Sequence, residues 1–216
     1  MYYNGTVALE FFRRAGGSPA RLGVLPAAFN PPTRAHIALS EAALSSVDEV
    51  LLVLPREFPH KSYEGADFAQ RVRMLVAAAG QRPRYSVASS EGGLFIDIAG
   101  ECRAAYGDQV RLALICGRDA AERITSWDYG EAGAFTQMLE QFELLVAARQ
   151  GSFKPSEAMN HRIHPLTVAG DLDAVSATEV RRRIRQGDRW KHLVPGEIVP
   201  LVREIYGASG SERPLE

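Results

Sequence analysis

The chain has 216 residues, of which 46% are apolar, so it is long enough to bury one well-packed core. Its 25 basic and 26 acidic side chains give a net charge of -1, which excludes a global attraction to nucleic acid or to an anionic membrane and suits a small anionic ligand. No apolar run approaches the ~18 residues of a membrane span, and the N-terminus lacks a signal-peptide pattern. We therefore expect a cytoplasmic protein that binds no nucleic acid and no membrane, with Cys102 and Cys116 as buried, reduced thiols.

Apolar runs and helical patterns alternate along the chain. An N-terminal extension at 1–20, with a candidate strand at 7–12, precedes a single domain at 21–207. A flexible tail is expected at 208–216. Strands are predicted at 22–25, 50–54, 85–88, 110–116, 142–147 and 166–168, and helices at 36–46, 67–79, 95–106, 131–140, 178–186 and from 195 to about 206. Short apolar strands separated by helices predict an α/β fold with one doubly wound parallel sheet.

The segment 23–36 leads from an apolar strand, through a Pro-rich turn, into a helix. Its sequence, GVLPAAFNPPTRAH, carries Asn30 and Thr33 in the turn and places His36 at the helix N-terminus. Unpaired backbone N–H groups and the positive end of the helix dipole make such an end an anion-binding position. Taken alone, a histidine here is more often a partial cap or a surface residue.

A second helix N-terminus is predicted in the segment VSATEVRRRI at 175–184. Ser176 is followed three residues later by Glu179, which is the pattern of a capping box. The hydroxyls of Ser176 and Thr178 then point out of this helix N-terminus. Arg181, one helical turn further on, can bind the same anion as a forked donor, whereas the arginines that follow it are interpreted as solvated.

The two segments together resemble the signatures of the nucleotidylyltransferase superfamily. FNPPTRAH is similar to the first signature in the variant with Thr in place of the first His, and VSATEVR is similar to the second, Ile-Ser-Ser-Thr-x-Ile-Arg. Four further segments follow the order found in bacterial nicotinate and nicotinamide mononucleotide adenylyltransferases: LPREFPHK at 54–61, RVRM at 71–74, LICGRD at 114–119 with Trp127 beyond it, and FELLVAAR at 142–149. The resemblance covers about residues 22–206 and implies their Rossmann-like fold.

The resemblance implies adenylyl transfer, in which the phosphate of a mononucleotide attacks the α-phosphorus of ATP and pyrophosphate leaves. Since the attacking phosphate is already an oxyanion, catalysis requires only that two anions are aligned and their charge neutralised, with Mg²⁺ as cofactor and without direct metal ligation by the protein. The implied catalytic residues are His36, Lys61 and Arg181. The implied nucleotide and phosphate contacts are Phe29, Asn30, Thr33, Gly117, Asp119, Ser176 and Thr178, and the implied acceptor contacts are Asp97, Trp127 and Arg149.

Two departures from the family pattern leave alternatives open. Pro26-Ala27 stands where the family has Gly-Gly, and Pro lacks the N–H that a phosphate-binding loop uses. The segment 93–98 stands where the bacterial enzymes carry Ser-Tyr-Thr-x-Asp-Thr, and it retains only Asp97. The alternatives are a cytidylyltransferase or pantetheine-phosphate enzyme acting on another phosphorylated acceptor, and a nucleotide-binding paralogue without turnover. The choice between ATP and CTP, the acceptor and a homodimeric state stay open.

Overall fold

The computed structural model describes residues 9–56, 65–127, 129–130, 133–147, 153–170, 172 and 174–207. The strands are β1 (Glu10–Arg13), β2 (Arg21–Pro26), β3 (Glu49–Pro55), β4 (Tyr85–Ser90), β5 (Arg111–Gly117), β6 (Glu143–Ala147) and β7 (Ile163–Leu166). The helices are α1 (Arg34–Ala43), α2 (Phe68–Ala79), α3 (Phe95–Tyr106), α4 (Arg118–Ser126), α5 (Ala134–Met138), α6 (Ala177–Gln186) and α7 (Val199–Gly207). Short 3₁₀ turns lie at Glu157–Met159, Lys191–Leu193 and Gly196–Ile198.

In the described residues, the strands form one sheet in the order β1-β4-β3-β2-β5-β6-β7. Strands β2 to β7 are parallel, and β1 pairs with the edge of β4 in the antiparallel direction. The run Val50–Leu54 is fully buried because helices cover both faces of the sheet. The predicted doubly wound α/β fold is confirmed.

Two hydrophobic cores lie on opposite faces of the sheet. Helices α1, α2, α6 and α7 contribute apolar side chains to one core, and α3, α4 and α5 contribute to the other. The strand order reverses between β2 and β5, since the chain leaves β2 toward one face through α1 and leaves β5 toward the other through α4. The carboxyl ends of these two strands therefore border a crevice of the kind in which open α/β sheets bind ligands.

Several predicted elements differ from the structure in their bounds. The strand predicted at 166–168 lies earlier, at Ile163–Leu166, where His164 and Pro165 interrupt the apolar pattern of an edge strand. The helix predicted at 131–140 is limited to Ala134–Met138. Helix α4 was not predicted at all, because Ala121 is its only fully buried residue and its sequence is strongly polar. The candidate strand at 7–12 is present as Glu10–Arg13, while residues 1–8 and the tail 208–216 lie outside the described residues.

The two cysteines are free thiols inside the core, as predicted. Burial raises the pKa of Cys116 to about 12, and it also raises the pKa of Cys102 well above the ordinary range. Both thiols therefore stay protonated at neutral pH. Among the helices of the described segments, none combines the length and the apolar character needed to cross a bilayer.

Candidate active site

The turn between β2 and α1 places a histidine beside the crevice. Thr33 is the N-cap of α1, and His36 is the third residue of the helix. The Nδ1 atom of His36 lies 3.0 Å from the backbone nitrogen of Thr33 and 2.8 Å from its Oγ1 atom. A backbone N–H can only donate, so Nδ1 is the acceptor and the neutral ring carries its proton on Nε2. The cap therefore fixes the tautomer and directs an N–H donor away from the helix backbone.

The ring of Phe29 supports His36. Phe29 is 1% exposed, and the centroids of the two rings lie 5.0 Å apart. Its φ of 45° falls in the left-handed region, which costs free energy for a residue with a bulky side chain. Because the ring is buried, any nucleotide contact at this position falls to the main chain, while the side chain holds the imidazole in place.

Asn30 connects this turn to the second signature. Its side chain is 4% exposed, and its Oδ1 atom accepts hydrogen bonds from the Tyr206 hydroxyl and, at 3.3 Å, from the Ala66 backbone N–H. Arg181 Nη1 donates to the main-chain oxygen of Asn30 at 2.5 Å. Two segments that lie about 150 residues apart in sequence are thus in direct contact.

Ser176 is the N-cap of helix α6, and its hydroxyl accepts from the Glu179 N–H at 3.1 Å. The serine half of the predicted capping box is therefore confirmed. The Glu179 carboxylate is directed instead to Arg182 and Arg183, and the hydrogen bonds from these two guanidinium groups lower its pKa to about 2. Ser176 and Thr178 are exposed at the N-terminal turn of this helix.

The end of β5 forms the other side of the crevice, because β5 pairs directly with β2. Gly117 is the N-cap of α4, and a Cβ atom built on it would meet no described atom within 4 Å. Asp119 is exposed in the first turn of α4, and Trp127, at the C-cap, is 45% exposed. This region thus has open space above a strand end, a carboxylate and an accessible aromatic ring.

A third turn, after β4, carries Asp97. The Asp97 Oδ2 atom accepts from the Leu94 N–H at 3.3 Å, so this carboxylate also caps its own helix. Glu101, which is 7% exposed, accepts from the Ser90 hydroxyl at 2.8 Å and from the Gly92 N–H at 2.9 Å. Glu101 therefore fixes the loop that positions Asp97.

Similarity to known proteins extends over most of the chain. The profile of the cytidylyltransferase-like family matches residues 24–183, which include both signature segments. The chain belongs to this family. A probable nicotinate-nucleotide adenylyltransferase of Moorella thermoacetica is 27% identical over 202 residues, which cover 86% of this chain and 90% of the relative. Another from Treponema pallidum (strain Nichols) is 29% identical over 211 residues, covering 89% and 99%.

Solved structures give the same picture of the fold. Plasmodium falciparum nicotinic acid mononucleotide adenylyltransferase complexed with NaAD matches with a TM-score of 0.67 at 16% identity, over 85% of this chain and 95% of that one. The same protein complexed with APC matches with a TM-score of 0.65 over 85% and 94%. The predicted membership of the nucleotidylyltransferases and their Rossmann-like fold are confirmed.

The described positions that the family resemblance singled out lie at or after the ends of four strands, β2, β4, β5 and β7. His36, Thr33, Asn30 and Arg181 are linked by direct contacts, whereas Gly117 with Asp119, and Asp97, follow other strands. Thr33 is fully buried, and its hydroxyl lies against the His36 ring. Lys61 and Arg149 lie outside the described residues.

The structure also assigns contacts that sequence reasoning missed. Arg71 is 4% exposed and donates to the Ala28 oxygen at 3.3 Å, and Tyr206 binds Asn30 from the last helix. The RVRM segment, which resembles the family pattern, was a sequence signal that pointed to Arg71. Nothing in the sequence linked Tyr206 to the turn. At the unusual Pro26-Ala27 pair, the Ala27 N–H donates to the Val53 oxygen at 3.1 Å, so it extends the sheet and is not available to a phosphate.

Proposed function

We propose that the protein transfers the adenylyl group of ATP to nicotinate mononucleotide, or to its amide, and releases pyrophosphate in NAD biosynthesis. The contact between the two signatures carries this proposal. Through Arg181 and Asn30, the first turn of α6 is brought against the turn that precedes α1, so two helix N-termini and a guanidinium group serve one anion-binding region. The names of the Moorella and Treponema relatives support a pyridine mononucleotide as the acceptor.

His36 is assigned to the α-phosphate. Its Nε2–H donor is oriented by the Thr33 N–H on the opposite side of the ring, so it requires no reorganisation when charge builds on a non-bridging oxygen. Thr33 itself is assigned to holding this ring, since its side chain is fully buried. No protein nucleophile is required, because the acceptor phosphate attacks in line.

The other phosphate contacts are assigned by position. Ser176 and Thr178 are exposed at the N-terminal turn of α6, where hydroxyls and the helix dipole can bind the β- and γ-phosphates. Arg181 and Lys61 are assigned to neutralising the phosphates, and Asp119 to accepting hydrogen bonds from a ribose. Trp127, Asp97 and Arg149 are assigned to the acceptor, with the exposed indole stacking on its flat base.

Mg²⁺ is proposed as the cofactor, bound to the triphosphate. In the part of the chain that the structure describes, no three His, Cys, Asp or Glu side chains converge on one point. The hydroxyl and guanidinium donors of α6 would bind phosphate oxygens, and Mg²⁺ would take the remaining phosphate oxygens and water as its ligands. When bound, Mg²⁺ neutralises charge on the triphosphate.

A second candidate is adenylyl or cytidylyl transfer to a different phosphorylated acceptor. The observation that favours it is the turn after β4, where Leu94 is 40% exposed in a segment in which the bacterial enzymes carry hydroxyl side chains. An apolar surface beside Asp97 suits an acceptor with less polar functionality than a pyridine carboxylate.

The deciding experiment measures pyrophosphate and product formation with Mg²⁺, ATP or CTP and a panel of acceptors. The panel contains nicotinate mononucleotide, its amide and a pantetheine phosphate, and His36→Gln protein serves as the control for contaminating activity. The proposal predicts a dinucleotide from a pyridine mononucleotide and ATP. Product from another acceptor alone would support the second candidate, whereas ATP binding without any product would indicate a paralogue that has lost turnover.

A further inference from the structure

The last helix, α7, reaches the turn before α1 through one side chain. Tyr206 is 8% exposed and packs into the core that α1, α2 and α6 share. Its hydroxyl donates to Asn30 Oδ1. Burial raises the pKa of Tyr206 above its ordinary value, so the phenol stays protonated and remains a donor at any physiological pH.

The orientation of the Asn30 amide is fixed by a second donor. The Ala66 backbone N–H donates to the same Oδ1 atom at 3.3 Å. Since a backbone N–H cannot accept, this atom of the amide has to be its oxygen. A hydroxyl and an amide hydrogen therefore bind one oxygen of a side chain that is 4% exposed, and each limits the rotation of the carboxamide.

The packing around this oxygen is tight on the side of Gly65. A Cβ atom on Gly65 would lie 3.1 Å from Asn30 Oδ1 and 3.2 Å from Tyr206 Cε1. The φ of Gly65 is +110°, a conformation that residues with a side chain rarely adopt. Gly65 thus lets the chain pass close to the pair, and Tyr206 and Asn30 are held in one arrangement.

The main chain of the same turn is held from two further helices. Arg181 of α6 donates to the Asn30 oxygen at 2.5 Å, and Arg71 of α2 donates to the Ala28 oxygen at 3.3 Å. Among the contacts to this turn from Arg71, Arg181 and Tyr206, the contact from Tyr206 is made by an uncharged group. Its helix, α7, is also the one most distant from the turn in sequence. It binds the turn three residues before the Thr33 cap that orients His36.

We propose that Tyr206 is a positioning residue for the reaction: its hydrogen bond to Asn30 sets the turn that presents the Thr33–His36 cap, so the C-terminal helix is part of the active-site scaffold. The kinetic side of this inference rests on the proposed function. Because Tyr206 is 8% exposed and reaches the turn through Asn30, we assign it no contact with the nucleotide or the reacting atoms. Its removal should therefore lower kcat more than it raises the KM for ATP.

The test compares Tyr206→Phe with Tyr106→Phe. Tyr106, on α3, donates its hydroxyl to Glu49 at 2.6 Å at the amino end of β3 and packs on the opposite face of the sheet, so the control also loses a partly buried hydroxyl that binds a side chain. We expect kcat to fall about tenfold or more in Tyr206→Phe alone, with similar melting temperatures for the two variants. In an Asn30→Ala background, the Tyr206 substitution should cause no further loss, because the acceptor is already absent.

Amide hydrogen exchange provides a measurement that does not depend on turnover. In Tyr206→Phe, the segment 27–36 should exchange faster than in the wild type while β3 is unchanged, and Tyr106→Phe should leave this segment unaffected. If the wild type makes no dinucleotide, the proposed function fails and the exchange pattern alone decides the positioning role. An active enzyme whose kcat is insensitive to Tyr206→Phe, or unchanged exchange at 27–36, would overturn the inference.

Discussion

The turns after β2 and after β4 begin their helices with the same local device. In each, the third helical side chain bends back to the backbone of the N-cap: His36 Nδ1 accepts from the Thr33 N–H at 3.0 Å, and Asp97 Oδ2 accepts from the Leu94 N–H at 3.3 Å. Each device satisfies one orphan donor of the helix and fixes one functional side chain. The two turns differ in what surrounds them.

The turn after β2 is held by residues that are distant in sequence. Arg71, Arg181 and Tyr206, from three helices, contact it, and its N-cap is fully buried. The turn after β4 is held by Glu101, from α3, and by Arg56, whose side chain pairs with Glu91 at 2.7 Å, and its N-cap, Leu94, is 40% exposed. The family pattern is retained around His36, in the turn that three helices contact, and is largely lost at 93–98, beside the exposed N-cap.

The largest effect should follow from His36→Gln. A glutamine oxygen can still accept from the Thr33 N–H, so the cap is retained while the imidazole N–H donor is lost. We expect kcat to fall by about 10² to 10³ with little change in ATP affinity, as for the removal of one preorganised oxyanion donor. Steady-state kinetics and calorimetric ATP binding test this, with His164→Gln on β7 as the control. Normal turnover would show that the cap on the β2 side is structural only.

Trp127→Ala tests the acceptor side. The indole is 45% exposed, so its removal should leave the melting temperature almost unchanged. If the ring stacks on a pyridine base, its loss should cost roughly 1–3 kcal/mol in acceptor binding, the range measured for bases stacked on aromatic rings. The acceptor KM should therefore rise while ATP binding is preserved. An equal loss for both substrates would argue against stacking.

Gly92→Ala tests whether the turn after β4 is independent of the rest of the site. A Cβ atom on Gly92 would lie 2.3 Å from Asp97 Cβ, so the start of α3 has to move. We expect a loss of about 1–3 kcal/mol in stability, typical of overpacking, together with a raised acceptor KM and an unchanged ATP affinity. Gly100→Ala is the matched control, because no described atom outside its own helix backbone lies within 4 Å of a Cβ built on Gly100, and alanine favours a helix interior. A weaker ATP affinity in Gly92→Ala would show that the two turns are coupled.

Sequence reasoning identified what depends on local order. Strand-to-helix alternation predicts the parallel sheet. The residues that begin α1 and α6 indicate a helix N-terminus, because capping interactions act over three or four positions. The two signatures were both expected to bind phosphates, and the structure adds the contact between Arg181 and Asn30 that joins them.

The remaining features depend on tertiary packing. Helix α4 is strongly polar, with Ala121 as its one fully buried residue, so its few apolar residues do not stand out in the sequence, although it forms one side of the crevice. From the sequence alone, Glu101 is expected to be a surface residue, because its hydrogen bonds with Ser90 and Gly92 are evident only in the folded chain. From the sequence alone, Tyr206 is expected only to pack as an apolar residue of the last helix, because its hydrogen-bond partner, Asn30, lies 176 positions away. Long-range polar contacts of this kind leave no periodic pattern in the chain.

The smallest effect is expected for Glu179. Its carboxylate forms ion pairs with Arg182 and Arg183, which follow Arg181, the arginine that binds the turn after β2. These two guanidinium groups lower the pKa of Glu179 to about 2, from an ordinary 4.5. Because the folded-state pKa is lowered, the carboxylate stabilises the fold above about pH 4.5 and loses this contribution as the pH falls toward 2.

The melting temperature of Glu179→Gln should therefore lie slightly below that of the wild type at pH 7, and the difference should shrink as the pH is lowered below about 4.5. The ion pairs are exposed, so the difference should also decrease at high salt. Ser176→Ala removes an uncharged cap of the same helix, and its deficit should not depend on the protonation of Glu179. A Glu179→Gln deficit that stays constant from pH 7 to pH 3 would show that these pairs do not stabilise α6.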